Sequence, residues 1–428
     1  MTIGVGGQTM EQALAKLQDM SLDIKPISVV EYRQRLHRAR QLMQKNNIEA
    51  LFITPGSNLL YFTGINWMCT ERLCGVILPL QGELTYIVPH FELDSFNENI
   101  RLQGKIATWQ EHEDPVELVM SKISSKNFTQ KSYLSTSEFK MNISLCGSCP
   151  FTMACKFINN YAEINFTCAD EITILCRQIK SAAEFALIQR AMDMTLAVQQ
   201  EAASILYEGI SSKDVVDFID KAHKKVGASS SYFCLVLFAE ASALPHGING
   251  WQELKANDMV LIDTGCKLMG YTSDITRSYV FGLPSELQRQ VWNIEKTAQT
   301  AAFNAAQISN SCEYVDQQTR AKLTEYGFSQ GYDLPGLPHR TGHGIGIDIH
   351  EPPYLVGGDK TPLAPGMCFS NEPTICIPGE FGVRLEDHFY MTETGPKWFT
   401  EPSLCIDNPF GLGEENSSRF HGKACRLK

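Results

Sequence analysis

Apolar positions recur along the chain with two different periods. Between Val29 and Lys45, the residues Val30, Leu36, Ala39, Leu42 and Met43 fall at helical spacing among basic residues, which predicts an amphipathic helix. Short continuous apolar runs follow. Ala50–Thr54 stops at Pro55-Gly56, and Gly75–Pro79 and Leu84–Pro89 are separated by polar connections; all three read as strands. This alternation over the first 160 residues predicts an α/β domain, preceded by a weakly patterned leader at 1–28. Near 162–174 the pattern changes. Ser181 and Glu184 have the spacing of a capping box, in which each side chain satisfies a free backbone N–H of a helix start. A long helix is expected from there to Tyr207, with Phe185, Ile188, Ala191, Met192 and Leu196 on one side. Further helices are expected at Asp214–Lys225, Ser285–Ile308 and Tyr314–Tyr326, with a strand-rich C-terminal part. The domains read as a leader at 1–28, an α/β domain at 29–170 and a second domain at 171–428.

Composition narrows the class of function. The 428 residues carry 37 Lys+Arg against 48 Asp+Glu, a formal charge of −11, which disfavours nucleic acid and anionic membrane surfaces as partners. The first ten residues have neither a basic stretch nor an apolar run, and no segment is apolar enough to span a bilayer. The reading is therefore cytoplasmic, with the 14 scattered cysteines acting as small buried hydrophobes and the Asn-x-Ser/Thr patterns, Asn416-Ser-Ser among them, as coincidences.

The chemistry gathers in the second domain. Met259-Val-Leu-Ile-Asp263 is an apolar strand expected to end in a carboxylate, and after Gly265 and Gly270 the chain returns through Asp274. An antiparallel hairpin would bring Asp263 and Asp274 onto one face, where two anions repel each other unless protonated or bridged by a cation. The pattern recurs. Met367–Glu372 leads to a turn at Pro378–Gly382, and the returning strand places Arg384, Glu386 and His388 on one face by alternation. Between the hairpins lies a stretch rich in glycine and histidine, from His339 through His343 to His350. Four carboxylates and an imidazole suit two divalent ions such as Mn²⁺, Fe²⁺, Co²⁺ or Zn²⁺. Two such ions, about 3.5–4 Å apart, activate water and polarise a carbonyl under attack.

The segments VLIDTGCKLMGYTSDITRSYVFG, HRTGHGIGIDIHEPP and SNEPTICIPGEFGVRLED resemble the metal-binding motifs of the pita-bread metallopeptidases. That superfamily includes Xaa-Pro dipeptidase (prolidase), aminopeptidase P, methionine aminopeptidase and the metal-free creatinase. The segment opening Arg177-Gln-Ile-Lys180 and the segment Asn58–Gly64 extend the likeness to roughly residues 30–400, the latter resembling the creatinase-like N-terminal domain. The resemblance implies an α/β (α+β) pita-bread catalytic domain with a creatinase-like domain before it. It implies two divalent ions per subunit, manganese foremost, with Asp263 and Asp274 on the first, His343 and Glu372 on the second, and Asp274 and Glu386 bridging. It implies further that a bridging hydroxide attacks the scissile carbonyl while Glu372 shuttles the proton. His246 and His339 would lie on the substrate side, His350 would stabilise the oxyanion, and Arg384 would contact substrate or hold a carboxylate.

The short interval from Glu372 to Glu386 favours a prolidase-like hairpin, hence cleavage of an Xaa-Pro bond in dipeptides or short peptides, and the resemblance also implies a homodimer. The alternatives are aminopeptidase P, a non-peptide small substrate on the same scaffold, and a non-catalytic binding module, which the complete ligand set disfavours. No ligand role is implied for His388, which reads as structural. His223, on a helix among lysines, is expected to be solvated.

Overall fold

A computed structural model describes residues 2–131 and 140–413; the tail with Asn416, His421 and Cys425 lies outside them. The chain divides into two compact units, Pro26–Arg177 and a larger one that joins Met1–Lys25 to Gln178–Lys428.

The smaller unit is a mixed six-stranded sheet. Its strands are β1 (Ala50–Ile53), β2 (Gly75–Pro79), β3 (Leu84–Pro89), β4 (Gly104–Trp109), β5 (Asn142–Leu145) and β6 (Asn165–Cys168), in spatial order β4-β3-β2-β1-β5-β6. β1 to β3 are buried on both faces, so they carry the unbroken apolar runs seen in the sequence. One core gathers Phe52, Ile77, Ile87, Trp109, Val119 and Phe157. The helix Val29–Lys45 is capped by the Ser28 hydroxyl, which accepts from the Glu31 amide, and it buries Leu36, Ala39 and Met43.

The larger unit repeats one plan twice: a pair of helices, then antiparallel strands. The first pair is Ala182–Ser204, opened by the Ser181/Glu184 capping box, and Ser212–Lys225. Their strands are β7 (Ser231–Phe238), β8 (Met259–Leu268), β9 (Tyr271–Thr272) and β10 (Ile275–Val280), with β8 central between β10 and β7 and β9 paired to its far end. The second pair is Glu286–Ala305 and Cys312–Thr324. Behind them come β11 (Gly342–Gly344), β12 (Glu351–Leu355), β13 (Cys368–Asn371), β14 (Thr374–Ile377), β15 (Phe381–Arg384), β16 (Asp387–Thr392) and β17 (Gly395–Trp398). Five of these form a sheet in the order β12-β11-β13-β16-β17, while β14 and β15 pair as a separate ribbon. Trp292, Met259, Val383 and Leu385 share a core that ties the second helix pair to the strands.

Three expectations change. Residues 1–25 are not a separate leader but part of the larger unit. The helix Met10–Lys16 is held by a Thr9/Gln12 capping box, Thr2 donates to the Val280 carbonyl at 2.7 Å, and Asp23 pairs with Arg190 at 2.7 Å. β8 does not end at Asp263 but runs on to Leu268, because Gly265 lets it pass close to Ser273 where a Cβ would overlap that carbonyl. His223 is fully buried rather than solvated. Its Nε2 lies 3.0 Å from the Thr195 hydroxyl and its Nδ1 2.9 Å from the Ser231 hydroxyl, and burial pushes its pKa down to about 4.

Candidate metal centre

Four strands of the larger unit converge on one buried cluster of acids and imidazoles. β8 carries Asp263, and the antiparallel return sets Thr276 of β10 opposite it, so Asp274 at the head of β10 turns toward the same place. The second hairpin is interrupted twice. Glu372-Pro373 separates β13 from β14, where proline cannot donate to the ladder, and Leu385-Glu386 separates β15 from β16. At the second break Glu386 bridges to Thr276, its amide donating to the Thr276 carbonyl at 3.1 Å. That bridge joins the two hairpins.

β11 carries His343 between two glycines. A Cβ at Gly342 would overlap the Ser370 carbonyl oxygen and one at Gly344 the Glu351 carbonyl oxygen, so only glycine lets this strand lie so close to its neighbours. The His343 amide donates to the Ser370 hydroxyl at 2.8 Å. Its Nδ1 lies 3.0 Å from the Gly344 carbonyl, a contact that requires an N–H there and leaves Nε2 with a free lone pair. Nε2 faces Glu372 Oε1 at 3.2 Å and Asp274 Oδ2 at 3.6 Å.

Ligand atoms of Asp274, His343, Glu386 and His388 lie within 4.8 Å of one another, and all four residues are buried. Asp263 and Glu372 flank them and keep 16% and 14% of their side-chain surface exposed, which marks the side from which a solute reaches the cluster. Arg384 is the cation among the acids. Its guanidinium pairs with Asp263, and its Nε donates to the Thr276 hydroxyl at 3.1 Å, while that hydroxyl donates to Glu386 Oε2 at 2.7 Å.

One cation facing four carboxylates leaves an excess of buried negative charge, and the titration of the acids reflects it. Burial, then Glu386 and Asp263, push Asp274 well above the usual carboxylate range; burial and Glu372 do the same to Glu386. Asp263 is raised by burial against the opposing effect of Arg384. Glu372 goes the other way: burial would raise it, but His343, His339 and Arg384 together hold it below the usual range. Asp263 Oδ1, Asp274 Oδ1, Glu386 Oε1 and His343 Nε2 are buried with no hydrogen-bond partner. Such groups are costly to leave bare in a folded core, and hard or borderline cations are the partners they suit. The residues present therefore fit divalent metal ions.

The histidines divide. His350 stands with its ring centre 4.1 Å from that of His343, and burial, with the neighbouring His343 adding to it, lowers its pKa to about 4. His339 is engaged within the chain, with Nδ1 2.8 Å from the Arg340 carbonyl and Nε2 3.0 Å from the Thr374 hydroxyl; burial lowers its pKa. His246 is exposed in the loop that follows β7, outside the four-residue cluster but near enough to act on His350. His388, read as structural from sequence, stands inside the cluster. Its ring centre is 5.9 Å from that of His343, the Asp274 backbone lies beside its ring, and neither buried nitrogen reaches hydrogen-bond geometry with a partner. Sequence reasoning also passed over Thr276 and Ser370, whose hydroxyls orient Glu386 and His343. Only the ladder register identifies them, since it sets Thr276 opposite Asp263 and Ser370 opposite His388.

A buried carboxylate–imidazole cluster on paired antiparallel hairpins, carried with a creatinase-like α/β unit, defines a hydrolase of the pita-bread class. Residues 186–393 match the model of metallopeptidase family M24, and residues 35–154 match the creatinase/prolidase N-terminal domain. The prolidase from Thermococcus sibiricus is 30% identical and superposes with a TM-score of 0.76 over 86% of this chain and 97% of its own. A dipeptidase from Mycobacterium ulcerans, 29% identical, gives 0.79 over 88% and 97%. An uncharacterised peptidase of Staphylococcus epidermidis is 28% identical over 368 residues, 86% of this chain and 99% of its own. The chain belongs to metallopeptidase family M24, whose members use divalent metal ions. Among the described residues no helix is long and apolar enough to cross a membrane.

Proposed function

We propose that this peptidase is a dinuclear-metal hydrolase that cleaves the Xaa-Pro bond of dipeptides or short peptides. The observation that carries the reading is the excess of buried acid over base in one cluster: Asp263, Asp274, Glu372 and Glu386 against Arg384, with bare oxygens on three of the acids. In this reading Asp263 and Asp274 hold one ion, His343 and Glu372 the other, and Asp274 and Glu386 both. When bound, divalent ions polarise the substrate carbonyl and acidify the attacking water.

The chain's own groups do the rest. Glu372 is ionised at neutral pH and partly exposed, so its carboxylate can take a proton from the attacking water and deliver it to the proline nitrogen. That delivery is needed because the leaving nitrogen of an Xaa-Pro bond carries no hydrogen of its own. His350 is neutral above about pH 4, so its ring N–H can donate to the developing oxyanion. Arg384 fixes Asp263, and Thr276 links Arg384 to Glu386. In this reading His339 acts through Thr374, and His246 takes the substrate-side role that the family resemblance implies.

The two solved structures with the highest identities named above are called a prolidase and a dipeptidase, which supports a dipeptide substrate over a longer one. The test is turnover by the metal-loaded full chain of Xaa-Pro dipeptides against Xaa-Pro-Yaa tripeptides, with Xaa-Ala controls. Preference for the dipeptides is expected. Preference for the tripeptides moves the protein to aminopeptidase P. Turnover of neither points to a non-peptide substrate or a binding role. The same reading holds the protein to be a homodimer in the cytoplasm. Light scattering of the purified chain tests the dimer.

A further inference from the structure

His388 is the one imidazole of the cluster that neither the family resemblance nor the proposed mechanism uses. It is fully buried, it lies opposite Ser370 on β16 two residues beyond Glu386, and neither ring nitrogen has a hydrogen-bond partner. A neutral imidazole carries one donor and one acceptor, and a core seldom leaves both unmet. His223 of the same unit shows the structural alternative, for it is equally buried and has a hydroxyl on each nitrogen. A histidine kept only for packing would be expected to look like His223.

The surroundings of His388 are ligand atoms. A donor atom of its ring lies within 4.8 Å of donor atoms of Asp274, His343 and Glu386. The His343 and His388 ring centres are 5.9 Å apart, inside the roughly 6.4 Å that two imidazoles can span through one ion with bonds near 2.1 Å. We propose that His388 is a second imidazole ligand to the ion held by His343. This rests on the dinuclear reading above and deepens it. The ion would then have two nitrogen donors among carboxylates, a set that favours borderline cations such as Co²⁺, Fe²⁺ or Zn²⁺ over Mn²⁺ more than a single-imidazole site does.

The experiment uses the full chain stripped with chelator and reloaded with Co²⁺ alone, read without substrate. Proton NMR of the Co²⁺ form counts coordinated imidazoles by their strongly shifted, exchangeable ring N–H signals. Two such signals are expected in the wild type and one in His388→Gln, a variant that keeps most of the side-chain volume and a polar end. Equilibrium dialysis runs alongside, with His388→Asn as a second variant in case one fails to fold. The affinity for one Co²⁺ of the pair should fall by about tenfold or more, and the ratio of Co²⁺ to Mn²⁺ affinity should fall with it. A wild type that binds two Co²⁺ but shows one shifted N–H, unchanged in both variants, overturns the assignment of His388 and leaves the dinuclear reading standing. A wild type that binds no Co²⁺ overturns the dinuclear reading itself.

Discussion

Two buried arginines, one in each unit, show how differently this chain treats buried charge. Arg35 of the smaller unit sits on the helix Val29–Lys45, with Glu31 at 2.7 Å, the Tyr61 carbonyl at 2.9 Å and the Tyr61 ring 4.2 Å beneath its guanidinium. Here an acid, a neutral acceptor and an aromatic face all meet the same guanidinium. Arg384 of the larger unit faces Asp263, Asp274, Glu372 and Glu386 together. Only Asp263 pairs with it directly, and burial, which by itself would lower its pKa, is overcome by the carboxylates, which raise it. A charge kept for architecture is neutralised within the fold. A charge kept for a ligand is left in surplus, and the sign of the surplus names the ligand.

The contrast can be broken most severely at the bridging acids. Asp274→Ala or Glu386→Ala should lower metal-dependent turnover by about 10³-fold or more, since each removes a donor proposed for both ions, an effect of about 4 kcal/mol on the barrier. Turnover within about tenfold of the wild type in either variant, measured at saturating metal, would remove that acid from the site.

Next in size is the answer of the two arginine environments to loss of one partner. Arg35→Met should destabilise the protein by roughly 2–4 kcal/mol, because it takes the Arg35 charge from Glu31 and its N–H from the Tyr61 carbonyl. Asp274→Asn should do the opposite in the metal-free protein, raising its midpoint of urea unfolding because it relieves repulsion among the acids. A metal-free Asp274→Asn that unfolds at lower urea than the wild type would show the surplus charge to be neutralised by other means.

The pH dependence of the metal-free protein follows from the same acids. Asp274 and Glu386 have folded-state pKa values raised above 3.8 and 4.5, so between those values and the folded ones the native state binds more protons than the unfolded chain. The contribution of these two acids should therefore fall as pH rises through that window, against the opposite contribution of the buried histidines His223, His339, His350 and His388, and it is read as the difference between the wild type and Asp274→Asn. Saturating divalent metal should flatten or reverse the slope, since an ion favours the ionised acids. Urea titrations with and without metal at a series of pH values check the sign.

The smallest expected change is at Thr276, which touches Glu386 and Arg384 but is not a proposed ligand. Thr276→Val keeps the shape and removes the hydroxyl, and should weaken metal binding by about tenfold while sparing the fold. Calorimetric titration of the stripped protein measures it.

Much of this was legible along the chain because both periods are local. The helix Val29–Lys45 announces itself through apolar spacing and Ala182–Ser204 through a serine cap as well, and β2 and β3 coincide with their apolar runs. The acids and His343 stood out because carboxylates do not belong at the ends of buried strands. What escaped depends on partners far away in sequence. Residues 1–25 show helical spacing only over the short stretch Met10–Leu17, and their attachment is through Thr2 to Val280 and Asp23 to Arg190. His223 looked solvated beside Lys224 and Lys225, but helix rotation turns it to Thr195 and Ser231 while Lys224 meets Asp220. Alternation put His388 on the face of Glu386, yet nothing in a strand pattern tells that both its nitrogens end without a partner. Nor could the pattern show that Asp387, one residue away, is neutralised by Arg277 at 2.7 Å.

The most direct measurement of the central claim is metal stoichiometry. The full chain, stripped with chelator and dialysed against Mn²⁺ or Co²⁺, should retain about two ions per chain by mass spectrometry of the dissolved metal. Asp274→Ala under the same conditions should retain fewer. A wild type that holds no divalent ion under those conditions would contradict the account, for the surplus of buried acid would then have no counterpart.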